Sequence, residues 1–168
     1  IFFLLLRKNI FRIKIIFFNN EKKLFILTSN FLNKMITKEL IQAYKATCYS
    51  ILNPKIDIYL EKENEALQSF LKEESFDSWC FITAWNPFSN ALSLEDNTAR
   101  NKLLEKDLSA YYVFSAEGKD ALGNWPSEIS FFVGNITKEQ AVLLGKKYEQ
   151  NAIVFGEAQK KADLVILV

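Results

Sequence analysis

Trp79-Cys80-Phe81-Ile82-Thr83-Ala84-Trp85 is a run of seven residues that are all apolar, aromatic or β-branched, and Asn86-Pro87 ends it. Such a run without alternation reads as a central strand buried on both faces. It stops at Asn86 because proline disfavours the helical conformation in the residue before it.

On the N-terminal side of this strand, Thr37 precedes a stretch in which Leu40, Ile41, Tyr44, Cys48 and Ile51 share one helical face, closed by Asn53-Pro54. Ile56-Asp57-Ile58-Tyr59-Leu60 alternates as a short strand. Residues 63–74 form a charged helix with Ala66, Leu67, Phe70 and Leu71 inward. Downstream, Ser93 with Asp96 has the spacing of a capping box and opens a helix to about Ala110. Residues 111–116 make the next strand. Residues 117–127 are a loop carrying Gly118, Gly123 and Pro126, and residues 128–134 are a strand antiparallel to the preceding one. Thr137 with Gln140 is a second capping box, and its helix packs Ala141, Leu144 and Tyr148. Residues 152–155 and 164–168 are the final strands. Hairpins mixed with crossovers put the chain in the α+β class, a single domain with a mixed, largely antiparallel sheet and three to four packing helices.

The full chain of 168 residues has a net charge of +1 and no histidine. The missing histidine excludes Ser-His-Asp and Cys-His sites, His-containing zinc sites and imidazole acid/base chemistry. The near-zero charge hides two unlike parts. Residues 1–34 carry seven basic residues against Glu21, a balance of +6, whereas residues 35–168 balance at −5. Ile, Phe, Leu, Asn and Lys make up 29 of the first 34 residues, the types that adenine- and thymine-rich codons specify. Met35 is the lone methionine. Residues 1–34 therefore read as a non-native extension from upstream translation, and residues 35–168 as the domain. Charges interrupt every apolar window of the first segment, so neither a membrane span nor a signal peptide is expected.

Amides and hydroxyls cluster at the ends of the expected elements. Thr83, Asn86 and Ser89 follow the buried strand, and Asn97, Arg100 and Asn101 are spaced i, i+3, i+4 on one side of a helix. Glu117 follows a strand, Trp125, Glu128 and Ser130 lead into the next, and Gln150-Asn151 joins a helix to a strand. Binding and catalytic groups favour such places on a rigid scaffold. Arg100 is the one arginine after residue 12, and its guanidinium can hold a carboxylate or phosphate through two parallel hydrogen bonds. An ion pair with Asp96 or another acid would equally account for it. Cys48 and Cys80 read as buried free thiols in a reducing cytoplasm. Phosphate-loop and metal-ligand spacings are missing, and the acidic charge of residues 35–168 removes the footprint of nonspecific nucleic-acid binding.

Residues 81–87, Phe-Ile-Thr-Ala-Trp-Asn-Pro, followed by Asn97-x-x-Arg100-Asn101-x-x-Leu104, Ala116-Glu117-Gly118, Trp125, Ser130-Phe131 and Gln150-Asn151-Ala152-Ile153, resemble the bacterial family called domain of unknown function 3293. The resemblance covers about residues 81–155. Tyr148-Glu149-Gln150-Asn151 departs from the aromatic-Gly-Gln-Asn run it leads one to expect, with Glu149 in the place of glycine. It implies a small bacterial domain without an assigned reaction.

The leading expectation is a cytoplasmic domain binding a small polar or anionic ligand in one pocket. Thr83, Asn86, Asn97, Asn101 and Gln150 orient the ligand and Arg100 clamps its anionic group. Glu117 is the acid/base where there is chemistry. No cofactor, metal, membrane or nucleic-acid partner is expected. The alternative is a protein-interaction module in which the polar residues only brace loops, with Trp125 or Phe88 as anchor. A histidine-free protein acting on RNA is a third reading.

Overall fold

In the computed structural model, which describes residues 36–120 and 125–168, the apolar run from Trp79 is an interior strand of a seven-stranded sheet. The elements in chain order are α1 (Lys38–Ala46), β1 (Thr47–Ile51), β2 (Ile56–Ile58), α2 (Glu65–Glu73), β3 (Ser78–Ile82), α3 (Leu94–Asp107), β4 (Tyr112–Asp120), β5 (Glu128–Gly134), α4 (Lys138–Lys147), β6 (Ala152–Glu157) and β7 (Asp163–Ile166). A 3₁₀ turn spans Pro87–Ser89. The strand order is β2-β1-β4-β5-β3-β6-β7 and, among the described residues, every pairing is antiparallel, so these residues form an α+β fold with four helices on an antiparallel, curled sheet. The expected extension, residues 1–34, lies outside the described residues. Among those described, no helix is long and apolar enough to cross a membrane.

Alternation along β3 divides the interior into two layers. Trp79 and Phe81 join Tyr49, Ile51, Phe132 and Val154 on one face, where α2 contributes Leu67, Phe70 and Leu71. Cys80 and Ile82 join Phe131, Val133 and Ile153 on the other, under Leu104 and Leu108 of the α3 segment and Ala141 of α4. Trp79 is fully buried and stacks on Phe132, with ring centroids 5.1 Å apart. Its partner across the ladder is Gly156, and the missing side chain there is what gives the indole room.

The capping residues sit where their spacing places them. Ser93 Oγ accepts from Asp96 N at 3.0 Å, and Thr137 with Gln140 forms the reciprocal box that satisfies two otherwise unpaired donors. Three local expectations are corrected. The first helix stops at Ala46 instead of running toward Asn53, because residues 47–51 are buried throughout and pair with β2 on one side and β4 on the other. Ala66 is exposed on α2, whose buried face is Leu67, Phe70 and Leu71. The strand expected to end at Ala116 continues to Asp120, since the register with β1 runs from Ile51↔Ala116 to Thr47↔Asp120. Glu117 and Gly118 are thus strand residues, not the start of a loop. Cys48 and Cys80 are both buried and free.

Candidate ligand-binding cavity

The chain that leaves β3 has no ladder partner after Ile82, so its backbone groups need other acceptors and donors. The i, i+3, i+4 face of α3 supplies them. Asn101 accepts from Ala84 N at 2.8 Å and donates to Ile129 O at 2.8 Å. Asn97 accepts from Asn86 N at 2.8 Å and donates to Asn86 Oδ1 at 2.9 Å. Arg100 donates through Nε to Ala84 O at 2.9 Å and through Nη2 to Tyr148 O at 2.8 Å, and it pairs with the Glu149 carboxylate at 3.3 Å. These bonds hold a loop with three non-glycine residues in the left-handed region, Asn86 (φ 44°), Phe88 (φ 50°) and Ser89 (φ 59°). Backbone of this kind persists only where surrounding contacts over-determine it.

The braced loop forms one side of a cavity of about 220 Å³ between α1 and the first face of the sheet. Tyr49, Gly118 and Glu128 form a row across β1, β4 and β5 that floors it. Gly118 keeps the row open: a Cβ there would meet nothing closer than Thr47 Cγ2 at 3.8 Å. Asn86 Nδ2 donates to Glu128 Oε1 at 2.7 Å. Burial pushes the Glu128 carboxyl above its ordinary range, and the bond from Asn86 pulls the other way without cancelling it. Across the opening, the Tyr44 hydroxyl of α1 shares a hydrogen bond with Ser89 Oγ at 3.0 Å. Asn151 Nδ2 donates to Ser89 Oγ at 2.9 Å and to the Tyr44 hydroxyl at 3.3 Å, tying helix, turn and β6 together.

The residues singled out from the sequence divide into three groups. Thr83, Asn86 and Gln150 line the cavity. Asn97, Arg100 and Asn101 stand behind the loop and direct their hydrogen bonds to protein atoms. Glu117 is elsewhere: alternation along β4 turns it to the face opposite Ala116 and Gly118. There its carboxylate lies 3.4 Å from Lys119 Nζ and 3.8 Å from Lys55 Nζ. The structure therefore does not gather Arg100, Glu117 and Asn86 around one space. Glu128 is the ionisable carboxyl the cavity contains. Its place at the first residue of a strand, after a Gly-Pro-bearing stretch, marked it as a strand-end polar group but did not separate it from Glu117.

Comparison with curated proteins and with solved structures gives no match. Residues 82–153 match the model of the family described as Protein of unknown function (DUF3293). That span contains the loop, the α3 face that braces it, Glu128 and the Gln150 junction. Over these residues, fewer than half of the chain, the protein is similar to the DUF3293 family.

Proposed function

We propose that this domain binds a small polar molecule in the cavity between α1 and the sheet. The observation that carries the reading is Glu128, a partly buried carboxyl on the cavity floor, facing an opposed glycine and fixed by Asn86. Removing a carboxylate from water is unfavourable, and perturbed groups of this kind gather at functional sites. The strained loop that delivers Asn86 supports the same reading. At about 220 Å³ the space is below the usual range for drug-sized ligands, which points to a molecule of one ring or of amino-acid size. This reading assigns ligand contact to neither Arg100, which donates to Ala84 O and Tyr148 O, nor Glu117, which lies beside Lys55 and Lys119. Arg100 is a brace for the loop, in keeping with the structural alternative for that residue. The two buried free thiols support a reducing compartment, such as a bacterial cytoplasm.

A thermal-shift screen of metabolites tests the reading, with Gly118→Leu as the blocked control. A ligand present at about 100 times its dissociation constant stabilises the native state by about 2.7 kcal/mol. The shift is expected in the natural chain and absent in G118L, which fills the floor from a position where an added Cβ meets only Thr47 Cγ2, at 3.8 Å. Equal shifts in both proteins would place binding outside the cavity and end the proposal.

A further inference from the structure

The hydrogen-bonding sense of the cavity wall narrows the ligand. Five of its amide and hydroxyl side chains already donate to protein atoms. Asn86 Nδ2 donates to Glu128, Gln150 Nε2 to Trp85 O at 3.1 Å and Tyr148 O at 3.2 Å, and Ser130 Oγ to Glu128 O at 3.0 Å. Thr83 Oγ1 donates to Ile129 O at 2.7 Å, and the Tyr49 hydroxyl to Tyr44 O at 2.8 Å. What these groups leave to a ligand is acceptor capacity: the Glu128 carboxylate, the lone pairs of Ser130 Oγ and the Gln150 side-chain carbonyl. Among the described residues the wall contains no lysine or arginine, so Glu128 is not neutralised from within it. Much of the rest of the wall is apolar, aliphatic at Leu40, Ile153, Val154 and Leu164 and aromatic at Trp85, Trp125, Tyr49 and Phe81. Aromatic faces attract a cation through their quadrupole, and a partly buried carboxylate attracts it directly. An anionic ligand would meet the opposite of what it needs.

Resting on the cavity as the binding site, we propose that the ligand class is a small organic cation. A protonated amine or amidinium would sit against Glu128, with its apolar frame between the rings. This deepens the functional reading and replaces the expectation of an anionic ligand held by Arg100.

Benzamidine, benzamide and benzoate share one frame and differ in charge, so titration calorimetry of the three against the 168-residue chain separates the possibilities. Benzamidine is expected to bind at least about tenfold more tightly than benzamide, a difference of about 1.4 kcal/mol, with benzoate weakest. Glu128→Gln should reduce benzamidine to the level of benzamide while circular dichroism shows the fold unchanged, because the carbonyl oxygen of the introduced amide can still accept from Asn86. Gly118→Leu should abolish the signal. Benzoate or benzamide binding as well as benzamidine would overturn the cationic class and leave the cavity standing. Benzamidine binding unchanged in G118L would overturn both. Failure of all three probes would overturn the cationic class, and the metabolite screen would then decide the cavity independently.

Discussion

Asn86 and Glu128 meet at 2.7 Å between a strained loop and the first residue of β5, and this bond couples the α3 face to the cavity floor. Asn97 holds Asn86 from behind through both its backbone N–H and its side-chain oxygen. The order is therefore helix face, then loop, then carboxyl. The residues that look most like a site in the sequence act mainly by fixing the position of one that looks ordinary.

The Glu128→Gln variant isolates the cost of the desolvated charge. The folded protein binds the Glu128 proton more tightly than the unfolded chain does, because burial raises its pKa. A raised folded value means that the contribution to stability is complete at acid pH and is lost as pH rises through that value. Tyr49, the neighbouring titratable group across Gly118, is itself shifted upward by burial and stays protonated over this range. Urea unfolding at about pH 4 and about pH 7 should show E128Q gaining on the natural protein as pH increases. A difference independent of pH would mean that Glu128 is not desolvated.

Arg100 should behave as a structural residue. Arg100→Ala leaves Ala84 O without its side-chain donor and Tyr148 O with only the longer bond from Gln150 Nε2, and an unpaired carbonyl at a part-buried site costs about 1–3 kcal/mol together with the lost packing. Arg100→Lys should recover only part of this, since one ammonium cannot reproduce the planar fork that reaches two carbonyls. Equilibrium urea denaturation is the measurement. A loss under about 0.5 kcal/mol in R100A would show that water replaces the guanidinium without penalty.

Local signals in the chain were informative where a residue acts on its own backbone neighbourhood. Ser93 and Thr137 announce helix starts because a cap is a contact three residues long, and the run at Trp79 announces a two-sided strand because every residue in it is buried or adjoins the turn. β1 was hidden for the converse reason. All five residues from Thr47 to Ile51 are buried, so they show no alternation, and Cys48 and Ile51 happen to continue the helical spacing of Tyr44. Gly118 read as a loop residue, but β1 and β5 pair on either side of it and keep it in the ladder. The cavity was not legible because its walls come together only when α1 lies over the sheet, which brings lining residues as far apart in the chain as Tyr44 and Glu128 to one space.

Gly156 should not tolerate even a methyl group. An added Cβ would stand 2.5 Å from the Trp79 ring, and that indole is fully buried and stacked on Phe132, so it has no free direction in which to move. Gly156→Ala is expected to destabilise by about 1–3 kcal/mol, as overpacking of a filled core does. A change in the near-ultraviolet dichroism of Trp79 should accompany the loss. Full stability with an unchanged spectrum would show that β6 and β3 can separate locally.

Glu149 supplies the test in the opposite direction. It sits at φ 58°, just past Tyr148, the C-cap of α4, where Glu149 N donates to Lys146 O at 3.1 Å and Gln150 N to Gly145 O at 2.9 Å. Those two bonds define the helix end at which glycine is favoured, because a Cβ in the left-handed region costs about 1–2 kcal/mol. Glu149 thus stands in a glycine position, as its place in the aromatic-x-Gln-Asn run suggested. Its carboxylate pairs with Arg100, but at 48% side-chain exposure this ion pair contributes little. Removing the strain outweighs losing the pair and the added freedom of glycine in the unfolded chain. Glu149→Gly should therefore stabilise the protein by about 0.5–1 kcal/mol, read as a higher urea midpoint with an unchanged slope. A destabilised E149G would show instead that the carboxylate is needed to hold Arg100 against Ala84 and Tyr148.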